Sequence, residues 1–208
     1  HLLSRRQRQM CIRDRYRMIL NEQFLRKYAR QEMRSSITES MDSMKHFSYS
    51  EDYDIFLSHS SLDQELTCAV YDLFTQNGFK VYLDYEDNEL NPDNVTSATG
   101  EQLRNRLKRC KCLAYIATSN IARSRWCPWE LGLFDGISNG MCCILPIVKE
   151  SGKSRFNGQE YLGMYPYLTY TQYADSDEWT FWVEDPENPK KYITLEEWLA
   201  GNNLKIHD

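Results

Sequence analysis

The sequence predicts an α/β protein, a flavodoxin-like doubly wound parallel sheet with a helical extension on its N-terminal side. Three observations carry that prediction. Short, almost uninterrupted apolar runs recur along the chain, as strands buried on both faces require. Between them lie stretches whose apolar residues return every three or four positions, the period of a helix with one face on a core. The two alternate as β-α-β-α-β-α-β over residues 53–148, an order that calls for parallel strands joined by helical crossovers.

Taken in order, residues 1–15 look foreign to a folded protein. They resemble a translated sequencing-adapter remnant, which makes Met18 a candidate start; a basic arm for RNA or anionic lipid is the alternative. Residues 16–46 hold no Gly or Pro, and Met18, Ile19, Phe24, Leu25, Tyr28, Met33, Ile37, Met41 and Met44 form a loose helical pattern. A polar and aromatic linker follows, so residues 16–50 are expected to be a helical extension ahead of a domain at 51–175.

The domain proper begins at Tyr53, and residues 54–58 read as the first strand, stopping at His59-Ser60-Ser61. A helix is expected from about Leu62, with Leu66, Ala69, Val70, Leu73 and Phe74 on its apolar face. Ser61 with Gln64 has the spacing of a capping box, and Asn77-Gly78 is a stop signal. Residues 79–84 are the second strand, and a polar, acidic loop runs from Tyr85 to about Ala98. Thr99 with Gln102 offers another capping box for a basic helix through Leu103, Leu107 and Cys110. Residues 112–117 form a third strand. Ser124, Pro128 and the spacing of Leu131, Phe134 and Ile137 then mark a helix that ends at Asn139-Gly140. Residues 141–148 are the fourth strand.

Beyond Lys149 the pattern weakens. Residues 158–167 suggest a loop and a turn, and Trp179-Thr180-Phe181-Trp182-Val183 alternates like an edge strand. Residues 184–189 read as a turn, and Thr194 caps a closing helix. Residues 176–208 are therefore expected to be an extension packed on the domain.

Composition narrows the function classes. The 208 residues are 41% hydrophobic and 13% aromatic, enough for a core, and a net charge of −5 argues against a general nucleic-acid binder. No apolar run has the length of a membrane span, and the basic N-terminus lacks the apolar segment of a signal peptide. The seven cysteines are odd in number and lack a C-x-x-C pair, which fits reduced, buried thiols in a cytoplasmic protein better than a disulfide scaffold or a metal site.

In an open parallel sheet the ligand lies outside the carboxyl ends of the strands. Those ends are Ser58-His59-Ser60-Ser61, Asp84-Tyr85, Thr118-Ser119-Asn120 and the loop after Val148, and Ser124, Trp126 and Glu130 enter from the same rim. Glu130 follows Trp126 by four, so the two share a helix face; alone, Glu130 could simply complement the helix dipole. His59 could equally be a loop residue, the serines helix caps, and Trp126 and Trp129 core or subunit contacts. Together the hydroxyls, imidazole, indole and carboxylate suit a sugar–phosphate ligand with an aromatic base. No Gly-rich dinucleotide fingerprint, Walker lysine loop, zincin motif or nucleophile elbow is present, which disfavours classical dinucleotide redox chemistry and phosphoryl transfer.

Tyr53-Asp54-Ile55-Phe56-Leu57-Ser58-His59-Ser60 resembles box 1 of Toll/interleukin-1 receptor (TIR) domains. Residues 78–84 resemble the strand before their BB loop, and residues 124–136 are similar to the family's W-C-x-x-E-L helix. The likeness runs from Tyr53 to about Tyr173. The helical lead-in, Gln159-Glu160-Tyr161-Leu162-Gly163 and Trp182-Val183-Glu184-Asp185-Pro186 are similar to the bacterial branch, the TIR subunit of Thoeris anti-phage systems. The resemblance implies cleavage of NAD+ at the nicotinamide–ribose bond, with NAD+ as substrate and no cofactor or metal. It implies Glu130 as the catalytic carboxylate, with Phe56, Ser58, His59, Asp84 and Trp126 on the substrate.

An oxocarbenium-like centre would be steadied by the carboxylate. Water as acceptor gives ADP-ribose, and an internal group gives a cyclic isomer. Where some TIR NADases carry basic residues after box 1, this chain has Ser60 and Ser61. Phosphate recognition would then fall to backbone N–H groups or another subunit. The resemblance also implies self-association through TIR–TIR contacts and a downstream effector reading the nucleotide signal. Two other readings stand beside it: a non-catalytic TIR adaptor, and a nucleoside deoxyribosyltransferase-like enzyme built around a glutamate.

Overall fold

The computed structural model describes residues 19–32, 51–83, 97–149, 160–173 and 176–207. The leader at 1–15, most of the linker and the acidic loop with Asp84 lie outside the described residues. The elements are β1 (Leu20–Asn21), α1 (Glu22–Glu32), β2 (Tyr53–Ser58), α2 (Gln64–Gln76), β3 (Val81–Tyr82), α3 (Ser97–Leu107), β4 (Cys110–Ala117), α4 (Trp126–Ser138), β5 (Cys142–Val148), β6 (Tyr167–Gln172), β7 (Trp179–Glu184), β8 (Lys191–Thr194), α5 (Leu195–Leu199) and β9 (Lys205–Ile206). The chain divides into two compact units, residues 24–142 and residues 1–23 with 143–208.

In the first unit β2 lies between β3 and β4, parallel to both, with Ile55 opposite Val81 on one side and Cys112 on the other. Ile55, Phe56 and Leu57 are fully buried, as are Leu113, Ala114, Tyr115, Ile116 and Ala117 of β4. Continuous burial is what a central parallel strand demands, and each such large side chain contributes about 1.5–3 kcal/mol on leaving water. Helix α2 buries the expected face, Leu66, Ala69, Val70, Leu73 and Phe74. It stops where Gly78 takes φ +85, and the Phe79 N–H closes back on the Phe74 carbonyl at 3.1 Å.

The helix starts differ from the expected capping boxes. Ser60, in extended backbone, takes the Leu62 N–H at 3.3 Å, and a 3₁₀ turn at Ser61–Asp63 precedes α2. That tight turn moves the start of α2 to Gln64, so Ser61 and Gln64 form no box. Helix α3 is already under way at Ser97, which leaves Thr99 buried inside its first turn instead of at its cap.

The second unit takes in β1 and β5 from Cys143 onward, and is a mixed ladder. β1 and β6 pair with β5 in parallel, and β6, β7, β8 and β9 then run antiparallel in sequence. Leu20–Asn21 is thus a strand where a helix was expected; two residues are too few to show a period. Trp179–Glu184 is an interior strand, flanked by β6 and β8, and not an edge. Its last four residues are all buried, so the alternation in sequence does not reflect one wet face. Thr194 caps α5 as expected, in a full capping box with Glu197. Among the described residues no helix is long and apolar enough to cross a membrane.

Candidate functional site

The candidate site forms where β2 ends and α4 begins, both in the 24–142 unit. Ser58, the last residue of β2, is buried and donates its hydroxyl to the Glu130 carboxylate at 2.6 Å. Helix α4 brings Glu130 there. Ser124 takes the Cys127 N–H at 3.2 Å just ahead of the helix. Pro128 sits among the first N–H positions, which lack intrahelical partners anyway. Cys127, Leu131 and Phe134 are buried, whereas Ile137, expected on the same face, is 45% exposed. The helix ends at Asn139, whose left-handed φ of 55 fits the expected stop.

Glu130 is the fifth residue of α4 and only 5% exposed, so it does not serve the helix dipole at an open first turn. Burial pushes its carboxyl up to about 7, and the Ser58 hydrogen bond pulls the other way. At neutral pH the group is therefore divided between acid and carboxylate. A buried carboxyl in that range can stabilise positive charge when ionised and can take up a proton afterwards.

Cys127 packs against the same pair. Its thiol donates to the His59 carbonyl at 2.9 Å, and burial together with the nearby Glu130 pushes it up to about 12. It is a structural thiol, not a nucleophile. No described cysteine is in a disulfide. His59 is half-buried, with Nδ1 facing the Leu57 carbonyl at 3.2 Å. A carbonyl only accepts, so Nδ1 carries the proton in the neutral ring and Nε2 the lone pair. Burial lowers its pKa, opposed by that hydrogen bond and by Asp63.

The other anticipated residues fall in different surroundings. Trp126 is half-buried at the helix entrance, edge-on to Trp129 with ring centres 5.6 Å apart. The Arg104 guanidinium lies 5.8 Å over the Trp129 ring. Phe56 is fully buried against Tyr82 at 5.2 Å and belongs to the core beneath Ser58. Asp84 lies outside the described residues.

Sequence reasoning missed Asp63. Its buried carboxylate accepts from Thr118 Oγ1 and, at 2.7 Å, from Asn120 Nδ2. The only clue in sequence was an acidic residue just after a strand end, which is usually a helix cap. Among the described residues no three His, Cys, Asp or Glu side chains converge as a metal site would.

Residues 55–183 match the family model described as TIR domain. The chain is 38% identical over 159 residues to the probable 3′ cyclic ADP-D-ribose synthase ThsB′ of Bacillus cereus (strain MSX-D12), covering 76% of this chain and 81% of that protein. It is also 26% identical over 94 residues to the putative cyclic ADP-D-ribose synthase TIR2 of Cytobacillus dafuensis, covering 44% of this chain and 25% of that one.

Proposed function

The chain belongs to the TIR domain family, and from that premise we propose that it cleaves NAD+ at the nicotinamide–ribose bond to make a cyclic ADP-ribose-type signal in anti-phage defence. The Ser58–Glu130 pair carries this reading: a buried carboxyl poised near neutrality, at the carboxyl end of a strand, where ligands of open parallel sheets lie. The names of the two relatives, both cyclic ADP-D-ribose synthases, support the reaction class and the cyclic product.

In the proposed step the glycosidic C–N bond breaks and nicotinamide leaves with the electron pair. The ribose C1′ becomes oxocarbenium-like, and ionised Glu130 stabilises it from a site that excludes most water. Ser58 holds the carboxylate oxygen in place and favours the charged form. Attack by a hydroxyl or ring nitrogen of the same molecule closes the ring. Where that nucleophile is a hydroxyl, its proton passes to Glu130, whose affinity near pH 7 suits it to accept. Attack by water instead gives ADP-ribose. Trp126 offers an indole face at the entrance for an aromatic base. Self-association through TIR–TIR contacts, a downstream effector that reads the product and a cytoplasmic setting complete the proposal.

The test is NAD+ turnover by purified protein, wild type beside Glu130→Ala, with and without infected-cell lysate and with products separated by mass. Turnover lost in the variant and a product one water lighter than ADP-ribose are expected. Equal turnover in both would remove Glu130 from the mechanism. No turnover in either, with the trigger supplied, would leave the adaptor reading.

A further inference from the structure

Two segments build the candidate site. Residues 58–63 supply Ser58 and His59, and residues 118–130 supply Trp126 and Glu130. They are held together by more than the Ser58–Glu130 bond. On one flank the Cys127 thiol reaches the His59 carbonyl at 2.9 Å. On the other, both carboxylate oxygens of Asp63 are taken up by the segment after β4, one by Thr118 Oγ1 and the other by Asn120 Nδ2 at 2.7 Å. Thr118 Oγ1 also receives the Asn120 N–H at 3.0 Å, so the three residues form one closed knot.

Asp63 is anchored from its own side as well. Its N–H reaches the Ser60 carbonyl at 2.9 Å, and its carbonyl takes the Thr67 hydroxyl at 3.0 Å. Asp63 and Thr118 are 6% and 5% exposed. A carboxylate does not remain in such a place without donors, because an unpaired buried charge costs several kcal/mol. Here neutral donors from a distant segment satisfy it. Its position at the start of α2 would allow it to cap that helix, yet no capping bond from its side chain is made. The carboxylate is spent on the link between the segments.

We propose that Asp63 is a positioning residue for the reaction: through Thr118 and Asn120 it fixes the approach to α4, and so the distance and angle at which Glu130 meets Ser58 and the reacting ribose. The proposal rests on the NAD+-cleaving reading of the site. The chain from Asp63 to Glu130 is short and stiff. Asn120 leads into the 3₁₀ turn Ile121–Arg123, buried at Ile121, whose closing N–H from Ser124 reaches the Ile121 carbonyl at 3.0 Å. Ser124 in turn holds the start of α4 through the Cys127 N–H. Asp63 touches neither Glu130 nor the entrance tryptophans in any of these contacts, so its influence is on geometry. A shift of about 1 Å at a reacting group costs on the order of a hundredfold in rate.

The experiment measures kcat and KM for NAD+ cleavage, with Tm alongside, in wild type and in Asp63→Asn, Thr118→Val, Thr118→Ser and Glu130→Gln. An asparagine at 63 keeps one acceptor and points a donor at donors, and a valine at 118 removes the hydroxyl at nearly constant volume. Both should lower kcat by about ten- to a hundredfold with KM within about threefold. Thr118→Ser keeps the hydroxyl and should keep kcat. If Asp63→Asn does not fold, Thr118→Val against Thr118→Ser decides alone. Unchanged kcat in the folded variants would overturn the proposal, as would a loss that disappears on assaying well below Tm, which marks stability only. Glu130→Gln separates the two claims. An inactive Glu130→Gln beside an active Asp63→Asn removes the positioning role alone, and an active Glu130→Gln removes both.

Discussion

Each unit of the chain holds a buried glutamate that accepts a hydroxyl at 2.6 Å: Glu130 from Ser58, and Glu184 from Thr169. The bond is the same and the setting is not. Glu184 is on β7, opposite Tyr167 of β6, with Thr169 two residues along on the neighbouring strand. Strands flank it on both sides, β6 and β8. That pair is a diagonal cross-strand contact inside a closed ladder. Ser58 and Glu130 are 72 residues apart and meet where β2 has ended, between a strand end and a helix entrance. A hydroxyl–carboxylate pair therefore does not mark a site by itself. What distinguishes Glu130 is that it sits in the second turn of a helix and meets its serine at the last residue of β2, where the strand gives way to a loop.

The largest test of that contrast is activity. Glu130→Gln should reduce NAD+ cleavage by at least about a thousandfold, the scale on which loss of a key electrostatic group is felt. Glu184→Gln should leave turnover within about threefold and lower only the melting temperature. A Glu184 variant that loses activity while staying folded would erase the distinction.

Next in size is the pH dependence of stability. Folding raises the Glu130 pKa from its ordinary 4.5 to about 7, so between those values the folded chain holds its proton more tightly than the unfolded chain. This contribution is most favourable below about 4.5, is lost as pH rises through about 7, and is flat above. The cost of keeping the group buried at pH 8 is then about 3 kcal/mol. Glu130→Gln should therefore match wild type near pH 4.5 and exceed it at pH 8, seen as a several-degree gap in Tm that opens with pH. A constant gap would show that burial does not govern this carboxyl.

The smallest effect belongs to the hydroxyls. Ser58→Ala removes the bond that favours ionised Glu130, and should shift the acidic limb of the pH–rate profile upward by about one unit. Thr169→Val should cost about 1–2 kcal/mol in stability and leave that limb in place. If both variants moved it, or neither, Ser58 would be no more than a packing residue.

Much of this was legible in sequence, for physical reasons that can be named. The buried strands announced themselves because Ile55-Phe56-Leu57 and Cys112-Leu113-Ala114-Tyr115-Ile116-Ala117 are apolar on both faces. Ser58 and Glu130 could be placed on one rim because strand ends and the helices that follow them are local features. Asp63 could not be given its role, since Thr118 and Asn120 lie 55 and 57 residues away and no local pattern encodes that meeting. The Cys127–His59 contact, across 68 residues, was hidden in the same way. Ser61 with Gln64 has the letters of a capping box, but a 3₁₀ turn intervenes and Ser60 does the capping. Strands β6, β8 and β9 were missed because Tyr167-Leu168-Thr169-Tyr170-Thr171-Gln172 mixes polar and aromatic residues with little aliphatic content, and β8 and β9 are only four and two residues long.

The 72-residue separation of Ser58 and Glu130 also bears on how the protein comes into being. Closing so long a loop is an entropic cost met before the contact is gained, and parallel strands with long crossovers fold slowly for that reason. In a growing or unfolded chain Glu130 is an ordinary solvated carboxylate with an ordinary proton affinity. Only after α4 has docked behind β2 does burial raise that affinity and bring the serine to it. The capacity to break NAD+ would thus be absent until residues 24–142, which hold the site, have been made and have folded together.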